Sequence, residues 1–138
     1  MTGANRIARL RAIPIFAGLD DDALDGIAGL CTEVEARPGQ VLTRANDRGT
    51  GMFVVEEGTV AVELRSRVLE LGPGQFFGEL SLLVPDATRI ARVRATTAAR
   101  LLAIARNDFA GLLDREPRLA VAMLPVLAQR LVDETLAK

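Results

Sequence analysis

A glycine and an arginine are the residues whose types and spacing could hold an anion, and a glutamate beside the glycine could accept a hydrogen bond. Gly78 and Glu79 close the run Gly-Gln-Phe-Phe-Gly-Glu, and Arg89 follows eleven positions after Gly78. Glycine permits a close backbone approach, and the N–H groups of a helical turn that begins after it, at about Leu80 and Ser81, would point toward an anion. A guanidinium can contact two oxygens of that anion at once. The pattern therefore indicates an oxyanion site.

Each of these residues also has a purely structural interpretation. A glutamate such as Glu79 at the start of a helical turn complements the helix dipole. Arg89 would form a surface ion pair with Asp86, as many arginines do, and Ser81 would simply be a small residue that packs near the turn. Both interpretations stay open at the level of the sequence.

The residues that the chain lacks exclude most kinds of catalysis. It contains no histidine and one cysteine, Cys31. Without histidine there is no common general base or Ser/His nucleophile pair, and the most frequent metal ligand is missing. A single cysteine forbids an internal disulfide and is typical of a reducing compartment; we interpret it as a small buried residue. We expect no metal, no catalytic residue and no enzymatic activity.

Length and composition predict one small domain with a core of its own. The chain has 138 residues, of which 49% are hydrophobic, and a formal net charge of −1. The basic residues are dispersed and the only aromatic residues are five phenylalanines, so neither a nucleic-acid footprint nor a base-stacking platform is visible. No apolar run has the length of a membrane span. We expect a cytoplasmic protein with no direct nucleic-acid contact and no membrane insertion.

Short strands with a hydrophobic period of two would position the anion site. Between Thr32 and Ala105 turn residues recur often, which is typical of a closed roll or sandwich. In the strand before Thr96 the alternation turns Arg92 and Arg94 to solvent. The predicted strands are Glu33–Ala36, Val41–Thr43, Met52–Glu56, Thr59–Leu64, Val68–Leu71, Ala91–Ala95 and Leu101–Ala105.

Helical patterns lie on both sides of these strands. A short helix is predicted within 5–11, and a second one with Asp20 as its N-cap. The buried stripe of the second helix would comprise Leu24, Ile27, Ala28 and Cys31.

Two further helices are predicted after residue 105. Asn107 is the expected N-cap of the first, and Pro117 opens the second, which Pro125 should bend. The apolar residues of the last helix cover more than one face, so one face is available to a partner helix.

Taken together, these features resemble the cyclic-nucleotide-binding domain family, of the type found in catabolite activator protein and protein kinase A regulatory subunits. The resemblance implies a mainly β fold with flanking helices: a double-stranded β-helix, or jelly-roll-like β-roll, with N-terminal helices and two C-terminal helices. It divides a single domain, 1–138, into a helical segment 1–31, a β-roll 32–105 with a phosphate-binding cassette 76–91, and closing helices 106–138.

The resemblance also implies a ligand, cAMP, and its contacts. Arg89 would hold the cyclic phosphate, and Glu79 would accept a hydrogen bond from the ribose 2′-hydroxyl. The base would lie against Val62 and Val68, two residues that could equally be plain core, and Glu134 and Thr135 on the last helix would cap it or lie on the surface. The full set of implied contacts is Phe77, Gly78, Glu79, Leu80, Ser81, Arg89, Ile90, Ala91, Val62, Val68 and Thr135.

Ile90 departs from the family pattern. Many members carry Ser, Thr or Ala directly after the arginine, and members that favour cGMP often carry Thr. Isoleucine offers a backbone N–H but no hydroxyl, which favours cAMP over cGMP. Its bulk could instead narrow the site and abolish binding.

Four functions are compatible with such a roll. A nucleotide sensor would signal through movement of 106–138. A docking module of the same fold would use the apolar last helix without any ligand, as a homodimer or with another protein. A DNA-binding regulator would need a helix-turn-helix after that helix. The sequence ends at Lys138, so either the protein acts without DNA or the sequence is a fragment of a longer one. A metalloenzyme of cupin type would need histidines. We expect the sensor.

Overall fold

In the computed structural model the described residues are 3–43, 51–64, 67–78 and 92–136. They form two compact units. One combines Met1–Gly29 with Ala110–Lys138, and the other is Leu30–Phe109.

Two helices form the N-terminal part of the first unit. Helix α1 is Gly3–Arg11 and α2 is Asp21–Leu30. Asp20 caps α2 as predicted, because its Oδ1 accepts a hydrogen bond from the backbone N–H of Ala23 at 2.9 Å. Arg11 joins the two helices: it donates to the carbonyl of Leu19 at 3.0 Å and forms an ion pair with Asp21.

The predicted buried stripe of α2 is correct for three of its four residues. Leu24, Ile27 and Ala28 are buried. The assignment of Cys31 to the helix was wrong, because α2 ends at Leu30 and Cys31 is the first residue of a strand, paired with Ile104. Two glycines in the second half of α2 lower its helix propensity, so strand pairing begins where a longer helix would have continued.

The C-terminal helices are α3, Arg106–Arg115, and α4, Pro117–Leu136. The first begins one residue before its expected N-cap, Asn107, which lies within its first turn. Pro117 occupies the first helical position as predicted, where the missing N–H costs no hydrogen bond. The helix α4 continues past Pro125 to residue 136.

One side of α4 is buried and another is open. Leu119 and Met123 are buried. The α4 apolar stripe, as we name Val121, Leu124, Leu131 and Val132, is exposed. Leu124 follows Val121 by three residues and Leu131 follows Leu124 by seven, so these three lie along one side of α4, and Val132 lies at its edge.

The strands of the described residues make two antiparallel sheets in the second unit. The first sheet has the order β1-β8-β3-β6 and the second has the order β2-β7-β4-β5. Every predicted strand exists, with boundaries shifted by two residues at most, and β6 is an addition that the periodicity did not indicate. The strands are β1 Cys31–Ala36, β2 Val41–Thr43, β3 Gly51–Glu57, β4 Val60–Glu63, β5 Val68–Leu71, β6 Phe76–Phe77, β7 Arg92–Ala95 and β8 Ala99–Ala105.

The core of this unit lies between the two sheets. Side chains from both sheets meet in one cluster, as the period of two requires when one face of each strand is buried. Its buried members are Ala36, Val55, Val60, Val62, Leu71, Phe77, Val93, Ala95, Ala99 and Leu101. The prediction of a mainly β roll with helices before and after it in sequence is confirmed.

Candidate functional site

The predicted site lies between β6 and β7. The structure describes its start, Phe77 and Gly78, and the strand that follows it, β7. The other predicted contacts in this stretch lie outside the described residues and remain predictions: Glu79, Leu80, Ser81, Arg89, Ile90 and Ala91.

Phe77 anchors the beginning of this segment to the roll. It pairs with Phe53 across the β3–β6 ladder, and the two rings stack with their centroids 5.0 Å apart and an angle of 10° between their planes. The side chain of Phe77 belongs to the core and the residue is 4% exposed. A contact between Phe77 and a ligand would therefore have to come from its backbone.

Gly78 has the backbone conformation that its residue type suggests. Its φ angle is +91°, in the left-handed region where a Cβ atom is strained. The chain can thus turn sharply at the end of β6. The backbone conformation of Gly78 thus suits a close approach to a ligand. That Gly78 approaches an anion remains a prediction.

The strand register places Val62 and Val68 on opposite faces of the second sheet. Val62, 9% exposed, pairs with Val93 on one side and Leu69 on the other. Val68 pairs with Glu63 and is 60% exposed. Because neighbouring residues of a strand face opposite ways, the expectation that Val68 lies with Val62 against a base needs correction.

The residue that shares the face of Val62 is Leu69, which packs against the core. Sequence reasoning missed Leu69, although a signal was present: Glu70 between Leu69 and Leu71 marks the outward face of β5. Thr135 lies in the last turn of α4. Its side chain and that of Glu134 lie outside the described residues, so both cap assignments remain predictions.

A cluster of charges on the outer face of the second sheet was also missed. Both carboxylate oxygens of Glu63 accept from Arg92, whose Nε lies 3.1 Å from Oε1 and whose Nη2 lies 2.9 Å from Oε1 and 3.2 Å from Oε2. Arg94 donates through Nε to Oε1 at 3.0 Å. The two arginines are partly exposed, as the alternation predicted, but they are paired rather than simply solvated. We name these three residues the Glu63 clamp.

A second charge cluster lies on the first sheet. Arg100 of β8 donates through Nη2 to Oε1 of Glu57 at 2.8 Å, and its Nε lies 3.6 Å from Oε1 of Glu56. The register of the β3–β8 ladder shifts between Val55 and Glu57, and two consecutive carboxylates lie near one arginine. The Glu56 side chain is only 7% exposed, so this arginine offsets the charge of a mostly buried carboxylate.

Two kinds of site are absent from the described part of the chain. No three of its Cys, Asp and Glu side chains come together as a metal site. None of its helices combines the length and apolar character needed to cross a bilayer.

Comparison with known families identifies the family to which this fold belongs. The model of the family described as cyclic nucleotide-binding domain matches residues 33–116, more than half of the chain. The chain belongs to the cyclic nucleotide-binding domain family. The matched range spans both sheets of the roll and the whole segment between β6 and β7.

Relatives and solved structures agree with this membership. A cyclic nucleotide-gated potassium channel of Rhizobium etli is 34% identical over 119 residues, which cover 86% of this chain and 33% of the channel. The crystal structure of Thermus thermophilus catabolite activator protein is similar with a TM-score of 0.78 and 31% identity, over 90% of this chain and 61% of that one. A cAMP-bound protein kinase A regulatory protein shares the fold at a TM-score of 0.83 and 20% identity, over 98% of this chain and 47% of that one.

The chain spans a third or less of the length of the first curated relatives that it matches. Cyclic nucleotide-binding domains therefore occur among its relatives as one part of a larger polypeptide. What those larger proteins do does not transfer to this chain by similarity alone.

Proposed function

We propose that this cyclic nucleotide-binding domain is a cAMP sensor that signals through its C-terminal helices. The observation that carries the proposal is the family match over 33–116, because that range contains the complete stretch from Gly78 to Arg89. The left-handed Gly78 at the end of β6 adds support, since it provides the sharp turn that such a stretch needs. The sensor binds a ligand and performs no reaction of its own.

In this proposal the cyclic phosphate is held by one side chain and a turn of backbone. Arg89 makes a bidentate contact with the two exocyclic oxygens, and the N–H groups of Leu80 and Ser81 supply further donors. Glu79 accepts the hydrogen bond of the ribose 2′-hydroxyl, which distinguishes ribose from deoxyribose. Ile90, which lacks a hydroxyl, favours cAMP over cGMP.

The base would lie against the inner face of the second sheet. Val62 and Leu69 share that face and both belong to the core cluster or pack against it, so we propose this pair in place of Val62 and Val68. Thr135, in the last turn of α4, is the proposed cap over the base. A cap on α4 would couple nucleotide binding to the position of that helix.

The proposed output is a change in what 106–138 contacts, in a protein that we place in the cytoplasm without a direct nucleic-acid partner. The α4 apolar stripe is exposed along the same helix. Exposed apolar residues at helical spacing are suited to a second helix, and a second copy of this chain supplies an identical stripe. A homodimer through α4 is therefore the partner that we propose, with Pro125 as the bending point.

The same stripe favours one other function, a ligand-free docking module. A docking module would assemble equally with and without nucleotide, whereas a sensor should change its assembly when cAMP is added. Sedimentation velocity in the presence and absence of cAMP separates the two.

The decisive measurement for the sensor is calorimetric titration with cAMP and cGMP. We expect wild-type protein to bind cAMP more tightly than cGMP. Replacing Arg89→Ala removes two charge-assisted hydrogen bonds and should weaken cAMP binding on the order of 100-fold. The control is Arg118→Ala, which removes an exposed arginine of α4 that belongs to the other unit. Equal affinity of wild type and Arg89→Ala would remove the proposed role of the arginine.

A further inference from the structure

The Glu63 clamp lies where the chain leaves the proposed nucleotide site. Glu63 is the last residue of β4 and Arg92 is the first residue of β7. They are direct Cα partners at the end of the β4–β7 ladder, next to the pair of Val62 and Val93. The clamp thus closes the ladder directly after the segment that contains Arg89.

The Glu63 clamp contains more hydrogen bonds than an ordinary surface ion pair. A single exposed pair contributes little because solvent screens it and two side chains must be ordered. Here Arg92 is bidentate, Arg94 shares the same carboxylate, and the Glu63 side chain is 28% exposed. Bidentate geometry and a shared partner are the conditions under which such contacts order the chain.

The position of β7 matters for ligand binding because Arg89, the proposed phosphate ligand, comes just before β7 in sequence. Arg92 follows Arg89 by three residues, and three residues of chain span at most about 10 Å. A binding constellation has to be held within about 0.5 Å of its productive geometry by supporting residues. A clamp on the first residue of β7 limits the freedom of the preceding residues, whereas contacts deeper in the ladder do so less directly.

We infer that Glu63 is a positioning residue for the nucleotide site: its carboxylate, shared by Arg92 and Arg94, fixes the start of β7 against the strand that carries Val62. The inference rests on the proposed function, because it assigns the clamp to cAMP affinity. Glu63 itself touches no ligand in this account and acts through β7 alone.

The test compares two isosteric changes that each remove one negative charge. Glu63→Gln takes away the charge that both arginines share and replaces one acceptor oxygen with an NH₂ donor, so we expect cAMP affinity to fall about three- to tenfold. Glu70→Gln is the matched control: Glu70 is exposed on the neighbouring strand β5, and no described residue hydrogen-bonds to its carboxylate. It should leave affinity unchanged.

A cycle with Arg92→Gln separates positioning from general destabilisation. Arg92→Gln should weaken binding as Glu63→Gln does, and the double variant should lose clearly less than the product of the two single effects. Thermal unfolding of each variant is measured alongside. If the affinities of the Glu63→Gln and Glu70→Gln variants agree, or if the two single effects multiply, the inference is overturned while the sensor stands. If wild-type protein binds neither cAMP nor cGMP, the sensor and the inference both fall.

Discussion

At the scale of single residues, Gly58 is where the roll tolerates a side chain least. It follows β3 with a φ angle of +82°. A Cβ atom on Gly58 would lie 2.2 Å from the carbonyl oxygen of Ala98 and 2.8 Å from Cα of Ala99. The next residue, Thr59, donates its N–H to Oγ1 of Thr97 at 3.0 Å, which holds the two turns together. The turn is therefore closed by both backbone conformation and close packing.

Gly58→Ala should be strongly destabilising. The left-handed φ costs about 1–2 kcal/mol for a residue with a Cβ atom, and the clash with backbone atoms adds to it because backbone cannot rotate away. We expect the free energy of unfolding to fall by about 2–4 kcal/mol. Urea denaturation measures it.

Gly72→Ala is the control for this change. Gly72 also lies in a turn, but its φ is not positive and a Cβ atom there would meet nothing within 4 Å. Its effect should stay below about 1 kcal/mol. Similar losses for the two glycines would contradict the argument from close packing.

At the scale of elements, Val62 of β4 and Val68 of β5 can be used to measure which face of each strand is buried. Val62→Ala removes two methyl groups from the core cluster and should cost about 2 kcal/mol of unfolding free energy. Val68→Ala removes the same groups from an exposed position and should cost less than about 1 kcal/mol. Equal losses would mean that the β4–β5 register differs from the one described.

The same strands show how far sequence reasoning reaches. The positions of the strands and the cap at Asp20 follow from local patterns, which a sequence displays directly. The face of Val68 was assigned by family resemblance, and the local alternation around Glu70 pointed the other way. The contact of Glu63 with Arg92 joins residues 29 positions apart, and no local pattern encodes that register.

The predicted site residues and the strands around them differ in how far the sequence alone predicts them. The residue types and the spacing of Gly78, Glu79 and Arg89 predict the anion-binding stretch from the amino-acid sequence, and for Glu79 and Arg89 this stays a prediction. For Cys31 the local pattern was misleading. Its spacing continues the apolar stripe of α2, but the residue pairs with Ile104 in a strand. Local propensity loses to tertiary pairing at such boundaries.

At the scale of the whole molecule, the proposed homodimer has the α4 apolar stripe as its interface. Substituting Leu124→Ser and Leu131→Ser together removes its two leucines, and we expect the dimer to dissociate to monomer in sedimentation velocity at micromolar concentration. Gln129→Ser, on the same exposed helix, is the control and should leave the dimer intact. If the double variant and wild type sediment alike, the stripe is not the interface.

The order of strands in the first sheet has a consequence for how the chain acquires its structure during synthesis. The inner strand β8 pairs with β1 on one side and with β3 on the other, yet it comes last in sequence among the described strands. Neither neighbour can complete its ladder until residue 105 has left the ribosome. At about 5–20 residues per second of translation, β1 waits on the order of several seconds for its partner. Glu33 and Glu35 are exposed on this strand, and charged side chains on an unpaired strand disfavour its pairing with another chain.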